Sequence, residues 1–248
     1  MEVIKPTYEI MSEPNWDEVL TGLERAIRTC YKSEDAITPE SADTLIRGII
    51  KRGHESTLEH HSMTVRFVCD RGVTHEMVRH RHCSFSQEST RYVGYSPDCK
   101  NFAGEMQFIL PCWLDGKLVG TWDVERWIHE TNYYDECDMI YPAEYEWLLA
   151  LLRSGQSYKT LIEKGWNPEH ARSVLPNSLK SEIVVTTNIR DWRHIFSLRC
   201  DKTAHPQMRE LMVPLWTELA GKCPTLFDSI IFDCQDWTTI QKRETKAK

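Results

Sequence analysis

The apolar positions open in a helical rhythm. Trp16, Val19, Leu20, Leu23 and Ile27 recur at helical spacing, and Asn15 stands where an N-cap belongs. Leu45, Ile46, Ile49 and Ile50 predict a second, shorter helix, with Gly53 just past its end as a stop. The rhythm then shortens to two. Met63, Val65, Phe67 and Cys69 alternate with Ser62, Thr64 and Arg66, the pattern of a half-buried strand. Asp70, Arg71 and Gly72 read as a turn, and Thr74 as the cap of a helix over residues 76–81. Residues 95–122 are punctuated by Gly, Pro and Asn and read as loops around a short strand at 107–110. Residues 123–152 read as helical. Asn167, Pro168 and Glu169 open another helix, which Pro176 ends. Residues 182–187 are β-rich, and Asp191 is the expected cap of a helix through Leu198. Met208, Leu211, Met212, Leu215, Trp216 and Leu219 form a long helical stripe that Pro214 should kink. Helices mixed with a few strands, without regular βαβ alternation, predict an α+β fold: a largely antiparallel sheet flanked by helices. The expected organisation is a single domain over 1–230 and a frayed tail over 231–248.

Composition narrows the class. The 248 residues are 41% hydrophobic and 27% charged, which excludes a disordered or collagen-like chain and allows a proper core. The net charge of −7 argues against a dedicated nucleic-acid binder, so any anion site must be a local basic cluster. No apolar run reaches membrane-span length, and the first residues lack the apolar core of a secretion signal. The nine cysteines include no C-x-x-C pair, so reduced thiols in the cytoplasm are expected.

That basic cluster lies at residues 74–92, THEMVRHRHCSFSQESTRY. Arg79, Arg81 and Arg91 sit among His75, His80 and His82, with Ser84, Ser86, Ser89 and Thr90 supplying hydroxyls. Guanidinium groups bind phosphate in bidentate fashion, and hydroxyls and backbone N–H groups cradle it. On a helix, Arg79 and His82 would share one face while His80 and Arg81 point elsewhere, so that one helix end addresses two ligands. A solvated basic stripe is the blander reading, but such a stripe has no need of so many hydroxyl and aromatic neighbours. Residues 53–61, GHESTLEHH, offer metal-capable types. The H-E-x-x-H spacing is absent, however, and packing of His60 and His61 at the entry to the strand is preferred to a metal. No G-x-G-x-x-G, Walker A or G-x-S-x-G motif occurs, which argues against a Rossmann nucleotide site and a P-loop. Cys83 stands beside the arginines, where its pKa is open to lowering; a small buried residue is the commoner outcome.

Together these residues resemble the flavin-dependent thymidylate synthases. Arg79-His80-Arg81, seven residues and then Ser89 match that family's marking motif, followed by Thr90-Arg91-Tyr92. His54 to His60, Ala26 to Tyr31, Arg172-Ser173-Val174-Leu175-Pro176, Asn188-Ile189-Arg190 and Leu198-Arg199 resemble its other segments in order and approximate separation. The resemblance covers most of residues 15–225.

The resemblance implies conversion of dUMP to dTMP. Methylenetetrahydrofolate gives the carbon, and FAD reduced by NADPH gives the hydride. It also implies homotetramers that share active sites, with no metal, nucleic-acid or membrane partner. By position, Glu76, Met77, Val78, Arg79, Gln87, Glu88, Ser89, Thr90, Arg91, Arg172 and Arg199 would bind dUMP. Ser56, Glu59, Arg79, His80, Arg81, Gln87, Asn188, Ile189, Arg190 and His194 would bind FAD. Arg199 and His54 would be catalytic, Arg199 by stabilising negative charge spread over the uracil ring. Many relatives have Asn-Glu where this chain has Ser86-Gln87, so either Gln87 or Glu88 would take that carboxylate's place.

Two other classes remain open from the residues alone. A metal-dependent hydrolase acting on a nucleotide would need three convergent ligands among the ten histidines and their neighbours. A non-enzymatic RNA-binding module would use the Arg/His stripe on phosphates, against the acidic net charge.

Overall fold

The computed structural model describes residues 1–131 and 143–233. Asn15 caps helix α1 (Trp16–Tyr31), its side chain accepting from the N–H groups of Asp17 and Glu18. Helix α2 (Ser41–Lys51) ends in a Schellman motif. Gly53 takes φ = +73°, and the N–H groups of Gly53 and His54 return to the carbonyls of Ile50 and Ile49. The alternating stretch is strand β3 (Ser62–Asp70), with Met63, Val65, Phe67 and Cys69 buried.

Immediately after β3 the expectation fails. No separate turn follows Asp70. Its carboxylate accepts the Val73 N–H at 2.7 Å and starts helix α3 (Arg71–Met77) directly. Thr74 is therefore inside the helix rather than its cap, and its hydroxyl donates to the Arg71 carbonyl. The helix expected over 76–81 ends at Met77, and residues 78–83 form turns before β4 (Ser84–Gln87). Likewise Asn188, not Asp191, caps α7 (Ile189–Arg199). The Asn188 side chain accepts from the Asp191 N–H and donates to the Asp191 carboxylate.

Strands of two to four residues escaped the alternation pattern altogether. They are β1 (Glu2–Ile4), β2 (Thr7–Ile10), β4 and β6 (Gly120–Thr121). Strand β5 (Gln107–Ile109) lies where expected, and β7 (Lys180–Asn188) extends the β-rich stretch at both ends. The sheet orders are β5-β1-β6 and β2-β3-β7-β4. In the four-stranded sheet the Ile189 N–H meets the His61 carbonyl and the Thr64 hydroxyl meets that of Thr186. Numbers fall on one strand as they rise on the other, so β3 and β7 are antiparallel. The three-stranded sheet is mixed: β1 runs parallel to β5 and antiparallel to β6. The fold is thus α+β with mostly antiparallel pairing.

The helical stretch expected over 123–152 comprises α4 (Val124–Thr131) and the start of α5 (Ala143–Glu163), while 132–142 lie outside the described residues. Helix α5 runs eleven residues past the expected end because Leu151, Gly155, Tyr158 and Ile162 continue its buried stripe. Helix α6 (Pro168–Ala171) is capped by Asn167, and a 3-10 turn follows at Arg172–Val174 before Pro176. Helix α8 (Pro206–Lys222) continues for eight residues beyond Pro214, and α9 (Pro224–Phe227) follows it. Most of the expected tail, residues 234–248, lies outside the described residues.

The chain forms two compact units. The first comprises Met1–Pro6, Val68–Glu76 and Gln87–Ile183. Its core has one cluster around Tyr95, Phe108, Tyr158 and Leu179 and another around Val3, Trp122, Trp127 and Leu148. The second comprises Thr7–Phe67, Met77–Ser86 and the chain from Val184 onward. Leu23, Ile27, Ile46, Ile49, Phe67, Trp192, Phe196 and Phe227 are fully buried in it. Each such side chain contributes roughly 1.5–3 kcal/mol through burial. Among the described residues, no helix is long and apolar enough to cross a membrane.

Candidate active site

The basic motif lies in the turns between α3 and β4, so helical faces do not organise it. Arg79 and Arg81 are exposed, while His80 is half-buried. In the second unit His80 meets the last turn of α7. The Arg199 Nε–H donates to His80 Nε2 at 3.0 Å, and the His194 ring stands edge-on to His80 at 6.5 Å between centroids. Burial, reinforced by the Arg199 charge and by His194, pushes the His80 pKa down to about 4. The ring is therefore neutral at pH 7 and accepts at Nε2, which places its hydrogen on Nδ1.

Met77, His80, Cys83 and Arg199, with Phe67, Phe85, Trp192 and Met212, line a small apolar cavity. The Met77 and Ile189 side chains are themselves buried, so neither is an open ligand surface. Of the two readings of Cys83, the structure favours the inert, partly buried residue over the activated thiol. Burial, with the nearby Asp191 charge, raises its pKa against a hydrogen bond with Thr187, so the neighbouring arginines do not activate the thiol.

A larger cleft of about 800 Å³ opens elsewhere in the second unit, within the size range of small-molecule sites. Glu59, Asn188, Arg190 and His194, all read from the sequence, line it together with Glu55, His82, Asp191, Arg193 and Ser197. Successive turns of α7 project Arg190 and His194 into this cleft, and Asn188 caps the same helix. Arg190 is paired with Glu59, both side chains nearly half exposed. Such a pair is worth only about 0–1 kcal/mol, so an incoming phosphate can take the guanidinium at little cost. Arg193 differs. It is buried, donates to the Leu226 carbonyl and reaches Glu55 at 3.4 Å, and burial lowers its pKa. It holds the cleft wall rather than facing a ligand. His54 and Ser56 are exposed on the adjoining 3-10 turn, where the Schellman motif places them, but lie outside the cleft lining. The His61 ring packs against α1 at Gly22, where a Cβ would collide with it.

Of the remaining predicted residues, Val78 lies in the second unit and the others in the first. Thr90 is buried, and its hydroxyl accepts from Arg172 at 3.2 Å. Arg91 is half exposed and lies 3.5 Å from Glu169. Ser89 turns the loop, its carbonyl accepting from the N–H groups of Tyr92 and Val93. Thus Ser89, Thr90, Arg91 and Arg172 come together as hydroxyls and guanidinium groups, a chemistry suited to a phosphate. Glu76 lies near the end of α3. The Gln87 amide donates to the hydroxyls of Thr74 at 2.9 Å and Ser181 at 3.2 Å. Glu88 turns its carboxylate to Tyr95 and Lys180, both at 2.9 Å.

Sequence reasoning missed Lys180, Tyr95, Ser181, Thr74, Glu169 and Arg193. Each acts through a partner remote in sequence or hidden in a helix, and no local spacing marks it.

Residues 15–225 match the family described as thymidylate synthase complementing protein. The chain is 32% identical over 225 residues to the flavin-dependent thymidylate synthase of Corynebacterium glutamicum, covering 87% of this chain and 83% of that one. It is 33% identical over 248 residues to the enzyme of the same name from a Mycobacterium species (strain JLS), covering 96% and 92%. A solved structure, the UMP/dUMP methylase PolB from Streptomyces cacaoi bound with 5-Br dUMP, shares the fold. Its TM-score is 0.67 at 24% identity, covering 92% of this chain and 96% of that one.

Proposed function

This chain belongs to the thymidylate synthase complementing protein family, the flavin-dependent thymidylate synthases, and on that premise we propose that it converts dUMP to dTMP. Methylenetetrahydrofolate is the carbon donor in this reading and NADPH the reductant. The observation that carries it is the gathering of the Ser89 and Thr90 hydroxyls with the Arg91 and Arg172 guanidiniums, a chemistry suited to a phosphate.

The residues fit a flavin dinucleotide. The cleft has the required size, and its accessible Arg190 guanidinium, with the His194 and exposed His82 rings as hydrogen-bond donors, suits a diphosphate. Asn188, Arg190, His194 and Glu59 would hold FAD there, with His80 and Arg81 toward its reactive ring and Ser56 and Ile189 nearby. When bound, FAD carries hydride from the nicotinamide to the one-carbon unit.

The protein's own contribution is orientation and charge. The Arg91 and Arg172 guanidiniums and the Ser89 and Thr90 hydroxyls fix the dUMP phosphate, with Glu76, Val78 and Arg79 lining the nucleotide's pocket and Gln87 set beside it. Arg199 lays positive charge against the uracil carbonyls and N3, stabilising the electron-rich ring that must attack the one-carbon donor. Neutral His80 accepts the Arg199 Nε–H and so fixes the guanidinium plane without adding a competing charge. His54 is the residue we assign beside flavin and folate. The same reading makes the enzyme a cytoplasmic homotetramer with shared active sites, its catalytic domain spanning 1–230.

The test is product analysis. The purified protein, loaded with FAD and given dUMP, methylenetetrahydrofolate and NADPH, forms dTMP by chromatography, and omitting any of these three substrates stops formation. Product without added folate, or no product with all four, refutes the proposal.

A further inference from the structure

At the root of the 89–91 loop lies a partly buried ion network whose polar atoms face one another. Lys180, at the start of β7, donates to Glu88 at 2.9 Å and to Glu182 at 2.5 Å. The Lys180 and Glu88 side chains are only 15% and 13% exposed. The second Glu88 oxygen accepts the Tyr95 hydroxyl at 2.9 Å, and the Glu88 N–H donates to the Glu182 carbonyl. Both carboxylate oxygens of Glu88 are thus engaged by protein groups. One residue earlier, the Gln87 amide is held by Thr74 and Ser181. Residues 87 and 88 are therefore fastened to 180–182, and the next three residues project from that anchored root.

We propose that the Lys180–Glu88 pair, with Tyr95, is a positioning device for the Ser89–Thr90–Arg91 loop, holding it where it receives the nucleotide phosphate. This rests on the dUMP reading above. Glu88 is then no ligand of dUMP but the tie that places the residues that are. Because three residues separate Glu88 from Arg91, a small displacement of the root misaligns the whole donor set, and misplacement by about 1 Å can cost on the order of 100-fold. Lys180→Met cuts the tie that bridges the Glu88 and Glu182 carboxylates. With that bridge gone the root is free to shift, whatever the local net charge. Burial opposes the Lys180 charge, but its bonds to Glu182 and Glu88 outweigh that and raise its pKa, so the ammonium persists across the working pH range.

Steady-state kinetics and titration calorimetry on the FAD-loaded enzyme test this. Lys180→Met is expected to raise KM and Kd for dUMP by about 10- to 100-fold, with kcat within a few-fold and FAD affinity unchanged. Lys180→Arg is expected to restore most of the affinity. The double variant Glu88→Gln/Lys180→Met restores the net charge but not the tie, and is expected to stay weak. Recovery in that double variant would assign the effect to charge alone and overturn the proposal. Loss of FAD affinity in parallel with dUMP affinity would show general destabilisation and overturn it too. If Lys180→Met does not fold, Tyr95→Phe and Glu88→Gln carry the test, each expected to raise KM for dUMP a few-fold, and unchanged values overturn it. Wild-type enzyme that binds FAD but not dUMP refutes the dUMP reading itself. Wild-type binding with unaffected variants refutes only the positioning role.

Discussion

Removing the Arg199 charge should make His80 easier to protonate. His80 is held at about 4 against an ordinary value of 6.5, by burial first, then by Arg199 and His194. At pH 5 roughly one His80 ring in ten is charged in the folded protein, against nearly all in the unfolded chain. The folded-state pKa is depressed, so the unfolded chain binds more protons between about pH 6.5 and 4, and stability falls as pH drops through that window. Between pH 7 and pH 5 the linkage amounts to about 2 kcal/mol unscreened, and the half-buried ring reduces this to about 1 kcal/mol. In Arg199→Met the guanidinium is gone while burial, the largest cause, remains. The His80 midpoint should therefore rise above 4 yet stay below 6.5, and the acid loss of stability should shrink. NMR titration of protein labelled with ¹³C at the histidine ring reads this, with His80→Gln identifying the signal. A wild-type midpoint at or above 6.5, or a midpoint unmoved by Arg199→Met, would refute the pairing.

Asp70→Ala removes the carboxylate that starts α3 directly from β3, and should cost about 1–2 kcal/mol in chemical denaturation; a loss below a few tenths would leave the cap without energetic weight. Cys83→Ala should keep most activity, and in the wild type iodoacetamide should modify Cys83 more slowly than exposed Cys30. Complete loss of turnover in a folded Cys83→Ala protein would restore a chemical role for the thiol.

The helices and long strands were legible because their signals are local. Asn15 followed by a 3.6-residue stripe gives α1, and four alternating apolar residues give β3. The helix over 76–81 was misplaced because the residue that caps α3, Asp70, is also the last of a strand, and neither rhythm marks such a junction. Strands β1, β2, β4 and β6 are too short to alternate; their partners define them. In the site, the arginines announced an anion by charge and density. What places them did not show. Lys180 and Glu88 lie 92 residues apart, and a lone lysine before a strand carries no sign of the carboxylate it will meet. The low pKa of His80 was equally hidden, since it arises from burial against a helix end 119 residues away.

The most direct test is an anaerobic visible spectrum of the protein after FAD addition and desalting. The account predicts a retained flavin band that bleaches with NADPH and returns when dUMP and methylenetetrahydrofolate are added together, with dTMP formed in proportion. No flavin retained, or a band that returns without dUMP, would contradict it.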